Sequence, residues 1–128
     1  MSCQNKKTGI RTYRDLQVWG KSIELAKELY AQTAHFPGNE RFSIIPQIRR
    51  AAVSVSSNIA EGQARRTNKD FIQFLYIAKG GLAELDTQLT ISHELGYLKK
   101  NKYDMLLNRI DELQRMLFSL IAKLGGSK

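Results

Sequence analysis

A single cysteine, Cys3, stands in the 128 residues, so no internal disulfide can form and no cysteine cluster can hold a metal. Only Pro37 and Pro46 interrupt the chain, while Leu, Ile, Val, Phe and Ala are plentiful, a balance that suits helices better than sheet or disorder. No apolar stretch approaches the roughly 20 residues needed to cross a bilayer. The first residues, with Lys6, Lys7, Arg11 and Arg14, lack the apolar segment of a secretory signal. A soluble cytoplasmic protein with no membrane partner is the expectation. Negative charge is also short: 12 acidic side chains face 20 Lys and Arg, leaving a net charge of +8.

Enzyme motifs are missing as well. There is no Gly-rich phosphate loop followed by Lys-Ser or Lys-Thr, and no dinucleotide fingerprint after a strand. His35 and His93 lack the Glu-x-x-His or His-x-x-x-His spacing that would place two ligands on one helix face, as a di-iron bundle requires. Ser54, Ser56 and Ser57 are dense, but no histidine is near in sequence to activate one. The reading is therefore a non-enzyme with no cofactor and no metal.

What is present is apolar periodicity. Leu16, Trp19, Ile23, Ala26 and Tyr30 fall on one face of a first helix over about 15–33, with Asp15 favouring its start. A second helix is predicted from Pro46 to Glu61, with Ile48, Ala52, Val55 and Ile59 inward and Gly62 as its left-handed stop. Its other face reads Gln47, Arg50, Ser54, Asn58 and Glu61, a polar stripe roughly 80° wide. A third, capped by Thr67 or Asn68, carries Phe71, Leu75, Ala78, Leu82, Leu85 and Leu89 and closes at Leu95-Gly96. Gly80 and Gly81 in its middle predict a tight helix crossing. A fourth, capped by Asn101, presents Tyr103, Leu106, Ile110, Leu113, Leu117, Leu120 and Leu124 and ends at Gly125-Gly126.

Short links between amphipathic helices predict an all-α, antiparallel up-down-up-down four-helix bundle over residues 13–126, preceded by a mobile basic leader, 1–12. Val18, Leu25 and Leu29 on the first helix, and Phe74, Ile77 and Ile91 on the third, lie off these seams. Such surplus apolar surface predicts a partner, of which a second copy of the chain is the simplest.

The basic residues cluster at the turns. Arg49 in the second helix, Arg65, Arg66 and Lys69 between the second and third, and Lys99, Lys100 and Lys102 between the third and fourth are candidate phosphate contacts for RNA or DNA. Tyr97 and Tyr103 beside the last group either stack on bases or pack the end of the bundle. An ordinary solubilising surface is the competing reading of these charges. So is a scaffold that binds a partner protein and has no direct role with nucleic acid.

Several runs resemble a known family: Phe36-Pro37 with Glu40, Gln47 to Val55, Asn58-Ile59-Ala60-Glu61-Gly62, Ala78 to Gly81, Glu84-Leu85 and Leu95 to Leu98. The chain is similar in these to the 23S ribosomal RNA intervening-sequence proteins, relatives of the accessory proteins of diversity-generating retroelements. The resemblance implies an up-down-up-down bundle and ring-like homo-oligomers, with a pentamer as the expected form. It also implies nucleic-acid and protein partners on a basic surface. Ser56 stands where many relatives have proline, and Gly81 where serine is usual. The polar residues shared with the family are Arg50, Asn58, Glu61 and Glu84. They are expected to be structural, with Arg50 and Glu84 as a buried or half-buried pair; a ligand surface is the other reading.

Overall fold

The computed structural model describes residues 12–126. All of the expected leader except Thr12, including Cys3, lies outside the described residues. Within them the fold is all-α, with four helices and no strand: α1 (Gln17–Thr33), α2 (Ile44–Gln63), α3 (Asn68–Glu94) and α4 (Lys100–Lys123). Short 3-10 turns at Tyr13–Asp15 and Gly38–Glu40 precede α1 and α2. None of these helices is long and apolar enough to cross a membrane.

Local chemistry explains most of the boundaries. Thr67 Oγ1 accepts the Asp70 N–H at 3.1 Å, which satisfies a donor that the first turn of α3 leaves unpaired. At the other end Gly96 takes a left-handed φ of 85°, letting its N–H reach His93 O and the Tyr97 N–H reach Ser92 O at 2.9 Å. Gly125, with φ 97°, closes α4 in the same way. Three expected boundaries move, the first being the start of α2, which lies at Ile44 and leaves Pro46 inside the first turn. Asn101 is inside α4, whose cap position is Lys99 with no side-chain cap. Gly62 is helical, and α2 runs one residue past it.

Gly62 is needed for proximity instead. A Cβ there would lie 2.6 Å from Phe74 Cβ and 3.0 Å from the Phe71 ring. Across the same interface a Cβ on Gly81 would lie 2.9 Å from Val55 Cγ2, whereas Gly80 faces open space. The tight crossing predicted for the glycine pair thus belongs to Gly81 alone. α2 and α3 form the most extensive helix pair in the molecule. The α2 seam of Ile48, Ala52, Val55 and Ile59 is buried, as are all six α3 seam residues from Phe71 to Leu89.

Helix α1 turns a different face inward from the one its apolar spacing predicts. Val18, Leu25 and Leu29 fill the core together with Ser22 and Thr33, while Trp19, Ile23 and Ala26 are only half-buried and Tyr30 is exposed. The two faces are roughly 90° apart at 100° per residue. Buried hydroxyls settle the choice because each finds partners. Ser22 Oγ donates to Trp19 O at 2.6 Å and pairs with Ser56 Oγ at 2.8 Å. Thr33 Oγ1 donates to Leu29 O at 2.7 Å and accepts from Arg49 Nε at 2.9 Å. Val18, Leu25 and Leu29 therefore belong to the core, not to surplus surface.

The glycine pair gives a paired expectation. Gly81→Ala destabilises the fold by about 1–3 kcal/mol through overpacking against Val55. Gly80→Ala, with no neighbour to meet, stabilises it by about 1 kcal/mol through helix propensity. Urea denaturation of the two variants checks both signs.

Candidate nucleic-acid interface

The fold gathers basic residues at two ends. The first holds the α2–α3 turn. There Arg65 is ion-paired to Glu61 at 2.9 Å and lies over the Phe74 ring at 4.6 Å. Arg66 and Lys69 are exposed and form no ion pair among the described residues. Two further cations arrive from distant parts of the sequence. Lys123 comes with the end of α4, where Leu124 O accepts from Asn68 Nδ2 at 3.4 Å. Arg14 sits before α1 with its guanidinium 5.3 Å from the Trp19 ring. Arg14 ends the basic run that opens the sequence, whereas Lys123 belongs to no such run, and the sequence pattern joins neither to this turn.

The second end joins the α1–α2 loop to the α3–α4 turn. The Tyr97 hydroxyl donates to Glu40 Oε2 at 2.6 Å, and the Tyr97 and Phe36 rings meet at 5.5 Å. His93 Nδ1 bonds Leu98 O at 2.8 Å, and its ring stacks on Tyr103 at 4.5 Å. Tyr97 and Tyr103 thus both pack this end. Of the three lysines here, Lys100 is paired to Asp104 at 2.9 Å, which holds its pKa above the ordinary lysine value. Lys99 and Lys102 are exposed and form no ion pair among the described residues.

Arg49 is placed differently from the other candidates. Besides its bond to Thr33, its guanidinium donates to Tyr30 O at 3.1 Å and lies 4.5 Å over the Tyr30 ring. It braces the C-terminal end of α1 by adding a charged donor to a carbonyl that also accepts the Ala34 N–H at 3.2 Å. The expected pair of Arg50 with Glu84 does not form within the chain. Both are exposed, and Glu84 accepts from its neighbour Gln88 at 3.3 Å. Asn58 donates back to Ser54 O at 2.8 Å, and Glu61 holds Arg65. The polar stripe of α2 is therefore satisfied largely along its own helix.

No group of three or more His, Cys, Asp or Glu converges among the described residues. Ser56 is spent on the pair with Ser22, and His93 on the turn. A groove of about 740 Å³ between α1 and α4, lined by residues including Leu16, Val18, Arg115, Met116 and Lys123, contains no histidine or cysteine.

These features define a small cationic four-helix bundle with unpaired cations at its turns, besides Arg50 and Arg109 on the helices. The chain belongs to the 23S rRNA-intervening sequence protein family, whose model matches residues 14–119. A crystal structure from Bacteroides thetaiotaomicron, described as a protein of unknown function from the S23 ribosomal protein family, is similar to it. The two share 27% identity with a TM-score of 0.73, covering 81% of this chain and 97% of the other. No curated protein matches the chain.

The tie between the loops gives the second end a pH dependence. Hydrogen bonds from Ser43 and then Tyr97 lower the Glu40 pKa, and the same carboxylate raises that of Tyr97. A lowered carboxylate pKa contributes stability that is complete above the unfolded value, about 4.3, and is lost as pH falls through the folded one. Melting temperature followed from pH 6 to about 2.5 should therefore drop less steeply for Glu40→Gln than for the natural protein. Parallel curves would show that this carboxylate adds nothing to the acid transition.

Proposed function

We propose that the protein is a non-enzymatic, homo-oligomeric protein of the cytoplasm that binds RNA or DNA through its basic turns with little sequence specificity. The observation that carries this reading is the set of unneutralised cations. Arg66 and Lys69 at one end, and Lys99 and Lys102 at the other, are exposed without an acidic partner among the described residues. Arg14 and Lys123 reinforce the first group. A cation left unpaired at a turn is free to replace a counterion on a phosphate. The family's description, which refers to intervening sequences of 23S rRNA, supports a nucleic-acid partner.

The bundle is taken to run up, down, up and down. Contacts of Ser22 with Ser56, Gly81 with Val55 and Lys79 with Gln114 all agree with antiparallel neighbours. The basic turns then lie at opposite ends of one subunit, and only symmetry can gather several of them. Apolar surface for such assembly lies on α3. Ile77, Ile91 and Leu95 fall within one stripe and are 53%, 46% and 57% exposed. A pentameric ring would bring like ends together. A partner protein would fit the same stripe, and retention of one specific protein after nuclease treatment would favour that reading.

Two measurements test the proposal. In gel shifts across salt, each phosphate contact to a single strand contributes about 0.7 to the slope of log affinity against log salt. Arg66→Ala with Lys69→Ala should flatten that slope by about 1.4. Arg49→Ala should leave it unchanged and instead lower stability by about 1–2 kcal/mol. Absence of binding at about 50 mM salt, or binding indifferent to salt, would end the nucleic-acid reading. Light scattering should give a multiple of the subunit mass that falls to one subunit in Ile77→Glu/Ile91→Glu; a monomeric natural protein would remove the assembly.

A further inference from the structure

Phe42 is the most exposed of the large apolar side chains described, at 86%, yet it sits in a well-held loop. The Arg41 N–H donates to Gly38 O at 3.2 Å and the Ser43 N–H to Glu40 O at 3.0 Å. The Glu40 carboxylate between them is held by Ser43 and Tyr97. The backbone that carries the ring is therefore pinned to the α3–α4 turn. The Arg41 guanidinium lies 5.1 Å from the ring centroid and covers one side of it, so the high exposure comes from the rest of the ring.

The charges around this ring favour an anion. Arg41, Lys99 and Lys102 form no ion pair among the described residues. Of the acids at this end, Asp104 is paired with Lys100, while Glu40, kept ionised by its hydroxyl donors, and Glu94 retain their charge, so three unpaired cations stand against two carboxylates. A fixed aromatic face beside unpaired cations is the combination that binds unstacked bases together with their phosphates. Bases in a duplex are already stacked on each other and cannot offer a face to such a ring. A cation on the ring's other side adds further attraction.

We propose that Phe42, covered on one side by Arg41 and carried on the loop that Tyr97 ties to the lysine-bearing α3–α4 turn, is a stacking platform for an unpaired base, so that this end takes single-stranded nucleic acid in preference to duplex. This rests on the nucleic-acid reading above and adds a site, a ligand class and a residue that carries the preference.

Fluorescence anisotropy with a labelled oligouridine of about 20 nucleotides, and with a duplex of the same length, tests it on the full chain. Phe42→Ala should weaken single-strand binding about tenfold and leave duplex binding unchanged. Phe42→Tyr, which keeps the ring, should bind as the natural protein does. Because the side chain is exposed, the melting temperature should not move, and it is measured alongside. Unaltered oligouridine affinity in Phe42→Ala overturns the platform while leaving general nucleic-acid binding intact. So does equal loss on the duplex, or a change in solution mass that makes the ring a contact between copies. If the natural protein binds neither probe at about 50 mM salt, the broader function falls and this site with it.

Discussion

Helices α2 and α3 approach so closely that each must lack a side chain at one point, Gly62 on the first and Gly81 on the second. That mutual bareness fixes how far each helix slides along the other, because a shift in register would push a Cβ-bearing residue into Phe74 or Val55. The pair is the most extensive in the fold, and the other helices take their positions from it. α1 docks on α2 through Ser56 and Arg49, and α4 on α3 through Lys79, Gln114 and Tyr103.

Much of this was legible in the sequence where burial alone decides. The seams of α2 and α3 could be read from apolar spacing, as could that of α4 except that Ile121 is buried where Tyr103 and Leu120 are half-buried, and the ends of α3 and α4 from glycine. α1 misled because its true core face contains Ser22 and Thr33, which a hydropathy pattern counts as outward. Their cost of burial is offset by partners on α2 that are distant in sequence. Gly62 misled for a related reason. A glycine near a helix end usually relieves a left-handed turn, and only the tertiary neighbour shows that it relieves a collision instead.

The candidate interface divides in the same way. Local runs such as Arg65-Arg66 and Lys99-Lys100 could be found by inspection, but not which of their members are already engaged. Arg49 looks like its neighbours in the sequence and is a brace between helices. Arg14 and Lys123 come together with the α2–α3 turn only through the fold. Nothing in the sequence marks Phe42, because a single aromatic residue in a loop has no periodicity. Its meaning comes from the Tyr97–Glu40 tie that carries the loop to the lysines.

The hydroxyl pair of Ser22 and Ser56 has a consequence for how uniquely α1 is oriented. Trp19, Ile23 and Ala26 make a second greasy flank almost as suitable for burial as the first, and oily contact alone has little sense of direction. Two oxygens at 2.8 Å do have one. They act as a key in a slot, selecting a single azimuth for a cylinder that hydrophobicity would leave free to roll.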